Sequence, residues 1–320
     1  RGGSSNRVIG NDIYQTGEGG IALSGGDRKN LTPAGHVAEN NQVWNFGRIF
    51  RTYRPAVLVD GVGQRVAHNL IHDGPHNAIQ LGGNDHTIEF NEIHHVCTET
   101  GDVGAFYMGR DWTARGTVIR HNFFHDLSGP GLHGAMAVYL DDCASGIRVE
   151  GNVFYRAGRA AFIGGGRDNV VENNLFVECA PSVHVDARGL GWMKNETVGD
   201  ATLPTRLREA PYQSPPWSIR YPKLVNILDE EPAAPRGNVV ARNISVGGRW
   251  LDLEKAAEAG VHFTQNLVTN APGFIEDSKP SKHGFQLRDD SPAWKLGFKK
   301  IPIEQIGLIE DASRRSLPRR

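Results

Sequence analysis

Residues 91–146 read NEIHHVCTETGDVGAFYMGRDWTARGTVIRHNFFHDLSGPGLHGAMAVYLDDCASG, and one pattern occurs in them twice. Each copy opens on Asn, any residue, an apolar residue and His: Asn91 to His94, then Asn122 to His125. A polar loop follows, then a small-residue stretch, VGAFYMG or GAMAVYL. Charged residues close it, Arg110 and Asp111 in the first copy, Asp141 and Asp142 in the second. Repetition with acids added at matching places describes a scaffold that carries a site.

Working outward, the same Asn step recurs at Asn11, Asn41, Asn69, Asn91, Asn122, Asn152, Asn174, Asn243 and Asn266, at separations of 30, 28, 22, 31, 30, 22, 69 and 23. The recurring minimum near 22 fits one bare coil of a parallel β-helix, and longer intervals are coils with a loop inserted at a corner. Short β-rich runs (Val8-Ile9, Val118-Ile119, Val170-Val171) flank the Asn turns. Stacked coils satisfy their strands by pairing above and below, so no hairpins are needed, and tight hairpin signals are missing. The expected fold is all-β: a right-handed parallel β-helix with inserted loops. The recurrent Asn is expected to take the left-handed turn conformation and to bond its copy in the next coil.

Residues 1–298 read as one β-helix domain, with an insert at about 190–236 rich in Pro and aromatics (Trp192, Tyr212, Trp217, Tyr221). Ordered inserts of that length are usually lids or binding loops. Residues 299–320 read as a cap over the last coil and a solvated tail. The chain starts at Arg1 with Asn11 already inside a repeat, so a chain trimmed at its N-terminus is expected, and a signal peptide is not there to be read.

The balance of 35 Lys+Arg against 36 Asp+Glu gives a formal net charge of -1, which favours a neutral or weakly charged partner over nucleic acid. No apolar run approaches the roughly 18 residues that cross a bilayer. Cys97, Cys143 and Cys179 form an odd set without metal-ligand spacing and read as free, structural thiols.

Strand alternation sorts the side chains. With Ile79-Gln80-Leu81, Phe106-Tyr107-Met108, Val138-Tyr139-Leu140 and Val183-His184-Val185 in register, the apolar pairs face in. Gln80, Tyr107, Tyr139 and His184 then form an outward column. Two positions on, a second column holds Asp60, Gly82, Gly109, Asp141, Gly165 and Asp186. Aromatics beside acids and glycines describe a groove.

Asp102, Asp141 and Asp142 are the catalytic candidates, because carboxylates at strand ends of adjacent coils fall within the range that glycoside hydrolysis uses. Crowding also raises one carboxyl and leaves a protonated acid beside an ionised partner. Asp111 is a further groove acid. Asp27, Asp85 and Asp168 read as turn caps. His133 and His184 are candidates for substrate hydroxyls or proton transfer; His72, His94 and His125 read as a stacked surface column. Tyr107, Tyr139, Trp112, Trp192 and Trp217 are candidates for stacking on sugar rings. Arg110 and Arg188 either grip a carboxylate or pair with Asp111 and Asp186, the pairing being the expected role. Gly164-Gly165-Gly166 is read as floor space for a ligand. Neither metal nor cofactor is expected.

The segments TGDVGAFYMGRDWTARG, AVYLDDCASG, GNVFYRAGRAAFIGGGRDNVVENNLFVEC, VDARGLGW and SPAWKLGF resemble the bacterial right-handed β-helix enzymes of glycoside hydrolase family 141, over most of Asn69 to Phe298. Activities in that family include α-L-fucosidase and xylanase. The resemblance implies two catalytic aspartates, mapped to Asp102 and to Asp141 or Asp142. It implies a carbohydrate substrate, and that substrate class implies a secreted or periplasmic protein, expected as a monomer. Two other readings stand beside hydrolysis: a uronic-acid lyase or epimerase, with Ca²⁺ on Asp60, Asp141 and Asp186, and a non-catalytic carbohydrate-binding β-helix.

Overall fold

The computed structural model describes residues 2–275, 282–311 and 314. Among the described residues, three parallel sheets of nine, nine and eight strands run the length of a right-handed β-helix, and each strand pairs with its equivalents in the neighbouring coils. A coil contributes one strand to each sheet: Thr87–Glu89, Glu92–His94 and Val103–Met108 make up one, and Val118–Arg120, Phe123–His125 and Ala135–Leu140 the next.

The interior is a set of columns. Val43, Ile71, Ile93, Phe124, Phe154 and Phe176 are in register in the second sheet and fully buried. The last three rings stack at 5.2 and 4.8 Å. The corner between the first two sheets holds the Asn column. Asn91 donates its backbone N–H and its Nδ2 to Asn122 Oδ1 at 3.0 and 2.9 Å, and Asn122 does the same to Asn152 at 2.9 and 3.0 Å. Each Nδ2 also reaches back to a strand carbonyl, as Asn122 does to Ile88 at 2.9 Å.

One expectation changes here. The left-handed residue is the one before each Asn, for instance His68 (φ 54°), Phe90 (φ 56°) and His121 (φ 53°). Non-glycine residues hold that conformation at a cost of about 1 kcal/mol, which the Asn bonds at the same corner offset.

The C-terminal residues also depart from expectation. Instead of closing over the last coil, they run back along the outside of the second sheet. Lys299 N–H donates to Asn173 Oδ1, Gly307 N–H to Phe90 O at 2.8 Å, and Ile309 N–H to Asn40 Oδ1 at 2.8 Å. Phe298, Ile301, Ile303 and Ile306 bury there against the outward side chains Phe123, Tyr155, Leu175 and Val177. The outer face of this sheet is apolar in those coils, and this strap covers it. Residues 312–313 and 315–320, the rest of the expected tail, lie outside the described residues.

The insert after Asp186 folds into short helices, among them Thr202–Glu209 and Trp217–Arg220. It packs on the third-sheet side through its own core of Leu203, Leu207, Trp217, Tyr221, Leu224 and Ile227, which closes over Trp112 and Cys143. Asp85 and Asp168 sit in left-handed turns as read, and they also anchor the insert, Asp85 to Arg220 at 2.8 Å and Asp168 to Lys223 at 3.4 Å. Asp27 caps its turn by accepting from Lys29 N–H at 2.8 Å. The three cysteines are free and buried. Among the described residues no helix is long and apolar enough to cross a membrane.

Candidate active site

The third sheet carries the outward column that alternation describes: Gln80, Tyr107, Tyr139 and His184 are in register, with Phe162 between the last two. The Tyr139, Phe162 and His184 rings stack nearly parallel at 4.9 and 4.0 Å. Tyr107, Tyr139, Phe162 and His184 form the floor of a cleft of about 460 Å³. The structure brings to it Asp102, Asp141, Asp142, Tyr107, Arg110 and His133, and likewise Tyr139, His184, Asp186, Arg188 and Trp192.

Arg188 is the centre of the electrostatics. In the second column the partner of Asp186 is Gly164, one residue earlier than expected. A Cβ on Gly164 would lie 2.7 Å from the Arg188 guanidinium carbon, so the absent side chain makes room for this arginine rather than for a ligand. Arg188 grips Asp186 through Nε at 3.0 Å and Nη2 at 2.8 Å. Its Nη1 donates to Asp142 Oδ1 at 3.0 Å and to Asp141. One guanidinium spans the two coils that separate Asp141 from Asp186, a distance of about 10 Å along the axis.

Asp142, 2% exposed, also accepts from Arg110 Nε at 2.6 Å. The expected Arg110–Asp111 pair is therefore not formed. The left-handed backbone at Arg110 (φ 61°) turns its side chain back over the cleft, while Asp111 points away. Asp111 accepts from Thr113 N–H at 2.8 Å and from Arg28 at 3.3 Å, and it lines a separate cleft of about 720 Å³ with Asp60 and Trp217. Trp112 leaves the site too: it is fully buried under the insert, and Trp217 is buried within the insert's own core, so neither offers a face to a sugar. Trp192 does, at 72% exposure, with Arg188 beneath its ring.

The three aspartates differ in environment. Asp102 is exposed and accepts from the Tyr139 hydroxyl at 3.1 Å. Asp141 is 8% exposed, and the Tyr107 hydroxyl donates to its Oδ2 at 2.9 Å. Burial, then the charge of Asp142, push the Asp141 carboxyl above its ordinary value, and Arg188 opposes them only in part. Burial, with Asp141 next, also pushes the Tyr107 and Tyr139 hydroxyls far up, so both remain neutral. His184 is lowered to about 4, by burial first and then by Arg159.

Several lining residues were not singled out from the sequence. Tyr53, His76 and Asn77 come from loops of earlier coils, and Phe162 and Arg159 from the strand Arg159–Gly164. Arg159 was hidden by a slip in alternation. Ala105-Phe106, Ala137-Val138 and Ala160-Ala161 each turn two consecutive residues into the core, and the residue before them faces out. Asp60, Asp141 and Asp186 do not converge, since Asp60 lies in the other cleft and Arg188 occupies the space between the other two. Among the described residues no group of three or more His, Cys, Asp or Glu is arranged to hold a metal. His72, His94 and His125 form a stacked ladder on the second sheet, at 5.0 and 4.6 Å.

The family model described as "Right handed beta helix region" matches residues 55–201. Those residues hold the coils from Val57 to Asp186, and with them the floor of the cleft. Among solved structures, "The complex structure of XylC with xylose" is similar at 12% identity and a TM-score of 0.27, over 78% of this chain and 55% of that one. The chain thus spans about half the length of that relative. No curated protein matches.

Proposed function

We propose that this chain is a glycoside hydrolase acting on polysaccharide or oligosaccharide bound in the cleft, with Asp141 as the acid and Asp102 as the base or nucleophile. The observation that carries the reading is the contrast between the two carboxyl groups. One is buried and holds its proton more tightly than an ordinary aspartate; the other is exposed, and the Tyr139 hydroxyl lies beside both. A buried carboxyl raised in this way beside an exposed one suits the acid role of glycosidic cleavage, with the exposed one as base or nucleophile.

In the reaction, the Asp141 proton passes to the glycosidic oxygen as the bond to the anomeric carbon breaks. Asp102 either bonds to that carbon or takes a proton from the water that does. A hydroxyl hydrogen rotates to suit its partner. While Asp141 is protonated, the Tyr107 oxygen accepts that proton, and the glycosidic oxygen displaces it on binding. Burial first, and then the negative charge of Asp142, itself engaged by Arg110 and Arg188, make Asp141 hold its proton more tightly. Exposed Trp192 offers a ring face to a sugar, and His133 a polar edge.

The segments that resemble glycoside hydrolase family 141 supply these residues. TGDVGAFYMGRDW brings Asp102, Tyr107 and Arg110, AVYLDDC brings Tyr139, Asp141 and Asp142, and VDARGLGW brings Asp186, Arg188 and Trp192. Action on such substrates outside the cytoplasm, as a secreted or periplasmic monomer, belongs to the same proposal.

The test is incubation with neutral and uronic-acid polysaccharides and aryl glycosides, following reducing ends and ultraviolet absorbance together. New reducing ends without absorbance, lost in both Asp141→Asn and Asp102→Asn, support the reading. Full activity in both variants removes the assignment. An absorbing unsaturated product replaces hydrolysis with a lyase.

A further inference from the structure

Charge in the cleft is unevenly matched. Arg188 is committed to Asp141, Asp142 and Asp186, and Arg110 to Asp142. Arg159 also lines the cleft, half-buried, yet among the described residues no carboxylate lies within ion-pair distance of it. Its Nη1 donates to His184 Nδ1 at 2.9 Å, and His184, lowered to about 4, is neutral near pH 7 and leaves the charge uncompensated. Asp186 and Asp252 also face His184, but Asp186 is held by Arg188 and Asp252 by Arg249 at 2.7 Å.

The Arg159 side chain is also held in place. Its guanidinium lies 5.3 Å from the Phe162 ring centroid, and that ring stacks on His184 at 4.0 Å with 3° between planes. The stack and the His184 bond fix the planar fork. Its remaining N–H groups have no partner among the described residues. A fixed fork with N–H groups to spare matches a carboxylate bidentately, and less ordering is lost on binding than for a flexible side chain.

We propose that Arg159, positioned by Phe162 and His184, is a carboxylate-binding subsite, and that the carbohydrate held in the cleft carries a hexuronic acid at that position. This deepens the hydrolase reading and rests on it only for the statement that the bound molecule is a substrate. Asp141, Asp142 and Asp186 are already answered by Arg188 and Arg110, so an acidic group on a ligand needs a cation not committed to them. Arg159 is the cleft arginine that meets this condition among the described residues.

The experiment uses the whole chain and paired probes: hexuronate-containing oligosaccharides, and the same oligosaccharides with each carboxylate reduced to a primary alcohol. Binding is measured by calorimetry for wild type, Arg159→Gln and Arg159→Lys, each checked for an unchanged melting temperature. Wild type is expected to prefer the acidic form at least ten-fold. Arg159→Gln loses that preference while binding the reduced form as before, and Arg159→Lys restores part of it. A preference that persists in Arg159→Gln overturns the subsite, and so does equal or absent binding of the two forms by wild type. Reducing-end release is followed in parallel. Acidic oligosaccharides bound through Arg159 but not cleaved would refute the hydrolase reading and leave the subsite standing. Hydrolysis without discrimination of the carboxylate would do the reverse.

Discussion

The Tyr139 hydroxyl donates to Asp102 Oδ1 at 3.1 Å while accepting from Arg188 Nη1 at 3.4 Å, so one phenol joins the exposed acid to the buried charge network. Tyr139→Phe keeps the ring stacked on Phe162 and deletes the hydroxyl, with its contacts to Asp102, Arg188 and Asp141. The expected outcome is a fall in kcat of about ten-fold, the worth of a hydrogen bond of roughly 1.5 kcal/mol to a charged group, with the melting temperature nearly unchanged. Unchanged kcat would show that the link plays no part in turnover.

Asp141→Asn removes the proposed acid. Its carboxyl is raised in the folded protein, so the reactive protonated form is lost as pH rises through the raised value, and wild-type activity falls on that side. The variant should retain under about 1% of kcat, and what remains should lack the alkaline fall. The same shift has a sign for stability. The folded state binds this proton more tightly than the unfolded chain, so its contribution is fully present below the unfolded value and is lost as pH rises through the folded one. Melting curves from pH 4 to 8 check this: the wild type should lose stability relative to the variant as pH rises, and a constant difference would contradict the shift.

Arg188→Gln strips the shared cation from three carboxylates. Arg188 is 7% exposed, so Asp141, Asp142 and Asp186 are left close together with Arg110 alone to answer them. A loss of about 3–5 kcal/mol is expected, the usual cost of unpairing buried charge, partly recovered at low pH as carboxyls protonate. Urea unfolding at pH 5 and pH 8 measures both parts, and a loss below about 1 kcal/mol at pH 8 would mean that the network stores little.

Asn122→Ala breaks the column at a fully buried corner. It strands the buried Asn91 backbone N–H and removes the side-chain bond to the Ile88 carbonyl. About 3 kcal/mol should be lost, against clearly less for Asn266→Ala, whose bonds lie at the partly exposed end of the column. Equal losses at the two positions would argue that burial does not set the cost.

The fold was legible because its signal is periodic: an Asn column and alternating apolar residues survive loops of any length. Much of the cleft was legible for the same reason, since alternation turns Tyr107, Tyr139 and His184 to one side and places Asp141 beside them. What failed was decided by contacts remote in sequence. Arg28 draws Asp111 into another cleft from 83 residues away, and the insert packs its own Trp217 into its core and closes over Trp112. Arg159 was lost because two inward residues in a row shift the phase of its strand, and a three-letter pattern does not show that shift. The strap along the second sheet was missed because outward Phe123, Tyr155 and Leu175 were not read as a surface needing cover.

The Asn column also separates two evolutionary freedoms. Successive members stand 22 to 69 residues apart in sequence, yet each makes the same bonds to the next. The corner therefore works as a ruler whose marks do not move when chain is added elsewhere in the coil. Loops that wall the cleft can be lengthened, exchanged or grafted without changing the distance between the coil that bears Asp102 and the coil that bears Asp141. In such a molecule specificity is written in the loops and geometry in the corner, and each can be edited without rewriting the other.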